Sequence, residues 1–195
     1  MYIMEVNYNF FKKKDMKQFL RNQFLTGFVV IVIGCYLVRK KVSPIHSVFA
    51  IIGLYFYSYF IHRAYHLIPQ NINPHMIHHK NKSLPRIINL TIECLTNASF
   101  FILLYLFQNF IGYQIFPNML ILYYGIIYVS VHIINFSLFG NDAHKKHHNE
   151  KYNKYYNYGP DSIDHIMNTN YDDKWENIIH QLPNILISYI ICKSI

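Results

Sequence analysis

The chain has 195 residues, with 52% hydrophobic, 17% aromatic and only 14% charged positions, against about 25% charged in ordinary soluble domains. That composition excludes a disordered chain, and the length excludes a multidomain enzyme with its own redox module, since one domain takes roughly 100 to 200 residues. The net charge is +8, and twelve histidines outnumber ten carboxylates.

Lys12, Lys13, Lys14, Lys17 and Arg21 gather just before the first apolar run. A nucleic-acid domain would instead spread such residues over a water-facing surface, so no nucleic-acid partner is expected. Uncharged runs then follow in chain order at Phe24 to Val38, Ile45 to Ile61, Ala98 to Phe116 and Asn118 to Phe136. A bilayer core takes roughly 20 residues of helix, with a lower limit of about 17, so four spans are expected, the first of them short. That first run starts late and is followed by no small-residue cleavage site, which argues against a signal peptide. Leu182 to Cys192 is shorter and carries Pro183. It is expected to lie in the interface or pack on the bundle.

Four spans place the two hairpin tips on one side and the remaining loops on the other. Fifteen Lys and Arg fall with those loops and three, Arg39, Lys40 and Lys41, with the tips. The positive-inside rule puts the loop side in the cytosol. Cys35, Cys94 and Cys192 have no paired spacing, so neither a disulfide framework nor a zinc knuckle is indicated. The expected fold is all-α: a polytopic membrane helical bundle of about four spans, one membrane domain over residues 1–195, with a cytosolic histidine-rich metal-binding cap.

The histidines cluster on that side. His62 and His66 form H-x-x-x-H, and an i, i+4 pair shares one helix face. His75, His78 and His79 form H-x-x-H-H, and His144, His147 and His148 repeat it. On a helix each triplet offers three nitrogens to one small volume. Two such motifs at this histidine content arise by chance in roughly one chain in a thousand. His132 stands near the end of the fourth run, where an intramembrane ionisable residue marks function by default. Neutral imidazole binds iron, zinc, copper or nickel, and nine imidazoles are too many for one ion but suit two. His46 and His180 stand apart and read as structural or solvated. Glu93 reads as a carboxylate favoured in a first helical turn.

The run FYSYFIHRAYHLIPQNINPHMIHHK, then VHIINF and HKKHHNEKYNKYYNYGPDSIDHIMNT, resembles the histidine boxes and following tail of the fatty acid hydroxylase and sterol desaturase superfamily, integral membrane non-haem diiron proteins, over about residues 50–170. The resemblance implies that His62, His66, His75, His78, His79, His132, His144, His147 and His148 hold two iron ions and are the catalytic set. It implies that O2 is the co-substrate and that a membrane lipid, a fatty acyl chain, sterol or related molecule, is hydroxylated or desaturated. Tyr158 and Gly159 match the family's Tyr/Phe-Gly, and Asp164 matches the Asp of its W-D-x-x-F-G-T motif. Ser162 and Ile163 stand where an aromatic precedes that Asp, and Met167 and Asn168 replace its Phe-Gly. Tyr128 stands where some members carry a further histidine, His165 falls at a variable position outside the ligand set, and Glu93 resembles a Glu that opens the third span in relatives, an alternative to the first-turn reading.

The chain has no haem, flavin or nicotinamide motif, so electrons are expected from a separate donor such as cytochrome b5, or a ferredoxin with its reductase. Lys145, Lys146, Lys151 and Lys154 form a basic run that could dock an acidic donor or anionic headgroups, though ordinary juxtamembrane charge gives the same pattern. The expected location is the endoplasmic reticulum or an equivalent membrane. Oligomeric state is left open. A membrane zinc protease would need H-E-x-x-H, which does not occur. A metal-binding or transport protein would place histidines near the midplane of its spans. A catalytically inactive relative is the third alternative, motivated by the altered 164 to 169 segment.

Overall fold

The computed structural model describes residues 13–80, 83–148, 157–170 and 174–195, and no β-strand occurs among them. The first span, Met16–Val38, combines α1 (Lys13–Phe19), a π-helical turn at Leu20–Phe24 and α2 (Leu25–Val38). The second is α3 (Pro44–Tyr65). Ser43 caps it by accepting from the His46 N–H at 3.3 Å, with Pro44 in the first turn, where its missing N–H costs nothing. The short α4 (Pro74–Lys80) follows, then the third span, α5 (Arg86–Phe110). The fourth, Asn118–Leu138, is α6 (Asn118–Ser130) continued by a π-helix over Val131–Leu138. These four helices are long and apolar enough to cross a membrane. At 1.5 Å per residue, the 22 residues of α3 match a hydrocarbon core of about 30 Å.

The third span departs from the expected Ala98 to Phe116. Its helix begins twelve residues earlier because Glu93, Thr96 and Asn97 point inward and are buried, so polarity in the sequence marks the bundle side of the helix. It stops before Gly112, whose φ of +67° is a left-handed conformation that favours glycine. Buried Gln108 then binds the chain on both sides of Phe116, accepting from its N–H at 3.2 Å and donating to its carbonyl at 3.1 Å.

Ile51, Leu54, Phe100, Leu120 and Tyr123 fill the centre of the bundle. Phe28, Val32, Phe49, Ile102 and Ile187 face outward, as expected of helices bathed in lipid. Since lipid tails are as apolar as leucine, close packing must hold such helices together. Gly125 permits it: a Cβ there would lie 3.0 Å from the Phe101 ring. After the short α7 (Asp142–His147) and α8 (Asp161–Ile166) comes α9 (Leu182–Ser194). It packs on α6 and α2, burying Ile185 and Ser188. Its end places Cys192 and Lys193 beside Arg39, Lys41 and Asn118. Lys193 therefore sits with the hairpin tips, and the charge asymmetry becomes fourteen against four.

Candidate metal centre

His62 and His66 leave the last turn of α3 on one face, as their i, i+4 spacing predicts. Asn73 fixes the next pair relative to them. Its Nδ2 donates to the Tyr65 carbonyl at 2.5 Å and its Oδ1 accepts from the His75 N–H at 3.0 Å, so one buried amide ties the end of α3 to the start of α4. His75 and His79 follow. Asn141 does the same for α7, accepting from the His144 N–H at 3.0 Å as an N-cap. The outcome is a group of five, His62, His66, His75, His79 and His147, each with a ring nitrogen within 4.8 Å of the others.

Four of these bring their Nε2 atoms together around that of His62. The Nε2 atoms of His75, His147 and His66 lie 3.0, 3.2 and 3.3 Å from that of His62, and His66 and His75 are 3.0 Å apart. His62 Nδ1 meets the Tyr158 carbonyl at 2.6 Å. A carbonyl only accepts, so Nδ1 carries the proton and Nε2 presents a bare lone pair. One lone pair accepts from one N–H, so hydrogen bonds alone do not satisfy it and the three nitrogens that face it together. A cation at the centre satisfies all four. With metal to nitrogen bonds of about 2.1 Å, ligand to ligand edges run from about 3.0 Å (octahedral) to 3.4 Å (tetrahedral), the range seen here. Burial holds His66 near a pKa of about 4 and His79 well below the ordinary histidine range. Both are thus neutral at pH 7, the form that ligates metals.

The Tyr158 carbonyl is itself held. Asp164 accepts from the N–H groups of Tyr158 (3.0 Å) and Gly159 (2.6 Å) and from the Thr169 hydroxyl (2.8 Å). Burial pushes the Asp164 carboxyl up to about 7, against the pull of these donors. The altered residues around it leave this network intact. Asn168, standing for the family's Gly, has φ +55°, a conformation that Asn tolerates better than other side chains do.

The second H-x-x-H-H motif does not converge as expected. His147 joins the five, whereas His144 and His148 form a second group with Glu93. At about 100° per residue, i and i+4 share a face and i+3 turns to its neighbour. His79 and His148 stack at 4.1 Å, so the groups adjoin. His78 lies in α4, and its side chain is outside the described residues, as are Lys151 and Lys154. His132 joins neither group by nitrogen distance. Its ring centroid is 5.6 Å from His144 and 6.1 Å from His62. Its Nδ1 donates to the Tyr128 carbonyl at 3.0 Å, which leaves Nε2 as the acceptor.

Glu93 corrects the sequence reading. It lies beyond the first turn of α5, fully buried, with Oε1 3.3 Å from His144 Nε2 and Oε2 accepting from the Ser137 hydroxyl at 2.5 Å. His132 and Ser137 are five residues apart, which in an α-helix would point them 140° apart. In the π-helix, bonded i to i+5, they share a face. His165 stacks on Trp175 at 3.9 Å, away from both groups, while His46 and His180 are exposed.

A cavity of about 90 Å³ touches His132 and His144 and is lined on the span side by Val30, Tyr55, Ile127 and Val131. Its polar side comprises Gln23, Asn141, Asp161 and Glu176. Gln23 donates to Asp161 at 2.7 Å and to the Glu176 carbonyl at 2.6 Å, and the Asn141 amide donates to the Glu176 carboxylate. Burial raises that carboxyl to about 7. None of Gln23, Asn73, Asn141 and Glu176 is evident from the histidine pattern. For the two asparagines a signal exists: each opens a histidine box from an N-cap position, as N-P-H and N-D-A-H.

Residues 47–169, well over half of the chain, match the model of a protein family described as fatty acid hydroxylase. No curated protein and no solved structure matches significantly. Membrane-length helices, a preformed cage of imidazole nitrogens and the family match agree, and the chain belongs to the fatty acid hydroxylase family.

Proposed function

We propose that this protein uses two iron ions and O2 to hydroxylate or desaturate a membrane lipid, with electrons from a separate donor. The observation that carries the reading is the convergence of four Nε2 atoms at 3.0 to 3.3 Å, in a chain of this family, beside a cavity lined by span residues. His62, His66, His75, His79 and His147 would hold one iron and His144 and His148 would contribute to the other, with His132 between them. Bound iron would supply the reductive activation of O2. Hydroxylation takes one oxygen atom into the C–H bond and reduces the other to water, consuming two electrons and two protons.

The chain's own residues supply position and exclusion. A cavity of about 90 Å³ is of a size to admit a short segment of an acyl chain or the edge of a ring. Val30, Ile127 and Val131 flank that segment on the bilayer side, and Tyr55, Tyr124 and Tyr128 border it. The polar network of Gln23, Asp161 and Glu176 marks the water side, where a lipid headgroup would lie. We place the histidine side in the cytosol, by the positive-inside rule, in the endoplasmic reticulum or an equivalent membrane. There exposed Lys145 is available to an acidic electron donor such as cytochrome b5 or a ferredoxin.

Cells expressing the wild type are expected to contain a hydroxylated or desaturated lipid that cells expressing His147→Ala lack, read by lipid mass spectrometry. Identical profiles, with iron bound in the wild type, would favour a catalytically inactive relative. Purified protein holding only zinc would favour a metal-binding role.

A further inference from the structure

A carboxylate inside a span is costly unless a cation or donors compensate it, and Glu93 lies in α5 with 1% of its surface exposed. One oxygen, Oε2, is held by the Ser137 hydroxyl at 2.5 Å. The other, Oε1, faces His144 Nε2 at 3.3 Å. A donor hydrogen bond from a charged imidazole to a carboxylate is shorter, about 2.7 to 2.9 Å. The edge between two ligands of one ion is about 3.0 to 3.4 Å for bonds near 2.1 Å. The 3.3 Å separation fits two ligands of one ion better than a hydrogen bond. His148 completes the set, its ligand atom within 4.8 Å of the other two.

We propose that Glu93 is a ligand of the second metal ion, together with His144 and His148, so that the two metal positions of this chain differ in kind. The first is built of imidazole. The second has a hard, anionic oxygen donor, which favours iron or manganese over softer ions and neutralises part of the ion's charge within the bundle. Ser137 is its positioning residue, since ligating carboxylates are themselves hydrogen-bonded, and the π-helix at Val131–Leu138 turns that hydroxyl toward α5. The inference rests on the reading that the chain carries two metals, and it revises the expectation of an all-histidine ligand set.

The test is anaerobic loading of the purified full chain with ⁵⁷Fe(II), with iron per chain and the Mössbauer spectrum as readouts. Wild type is expected to bind about two irons, as two positions require, in two distinct quadrupole doublets. Glu93→Gln is expected to lose one doublet and about half the iron, His66→Ala the other, and Glu93→Asp to keep both with a shifted second doublet. Ser137→Ala, which keeps every ligand, is expected to weaken occupancy of the same doublet that Glu93→Gln removes. It serves if the latter variant misfolds by circular dichroism. Two irons with an unchanged spectrum in Glu93→Gln, a single doublet in the wild type, or a Ser137→Ala effect on the other doublet would each overturn the proposal. Wild type with both doublets but no lipid product would sink the functional reading and leave this one standing.

Discussion

At the scale of residues, the tail after the last histidine box works through backbone groups. Asp164 hydrogen-bonds to Tyr158, Gly159 and Thr169 and belongs to neither group of candidate ligands. It fixes the turn whose carbonyl, at Tyr158, selects the His62 tautomer. Outer partners of metal-ligating histidines typically cost 10- to 100-fold in affinity when removed. Asp164→Ala leaves two backbone N–H groups and the Thr169 hydroxyl without their acceptor, and is expected to lower iron affinity by about that factor. Asp164→Asn keeps one oxygen and loses less. A competition titration with a ferrous chelator measures both, and wild-type affinity in Asp164→Ala would disprove the relay through Tyr158. The sequence identified Asp164 by its place in the tail but not its action, because the bonds it makes run to main-chain groups that no residue pattern displays.

At the scale of elements, the decisive piece is the π-helical end of the fourth span. The sequence there reads as a plain continuation of an apolar helix, and spacing alone sets His132 and Ser137 on different faces. Deleting Ile133 would let the segment close into an α-helix with the two at i, i+4, still on one face. Inserting an alanine after Ile133 puts them at i, i+6, about 240° apart in an α-helix. The deletion is therefore expected to keep both irons, and the insertion to lose the second while retaining helicity, as read by iron analysis and circular dichroism. Equal iron loss in both variants would show that the π geometry is incidental. The same angular arithmetic explains the last histidine box. Its pattern announces a helix with three imidazoles, yet His147 leaves the face shared by His144 and His148 and serves the first group.

At the scale of the whole molecule, the apolar helices and their charge asymmetry make a sidedness prediction. In a background without Cys35, Cys94 and Cys192, a cysteine at Lys145 and one at Lys40 should lie on opposite faces of the membrane. With sealed microsomes, an impermeant maleimide is expected to label Lys145→Cys directly and Lys40→Cys only after detergent. Labelling of both without detergent would refute the four-span arrangement. The sequence by itself determined the four apolar runs, most of the basic flanks, the i, i+4 histidine pairs and the family, because each depends on local spacing along the chain. Tertiary structure decided which imidazoles gather into one group, that Glu93 faces His144, and that α9 runs back to the hairpin tips. Those depend on how helices far apart in sequence are rotated and stacked against one another, which close packing across the bundle sets and no single helix encodes.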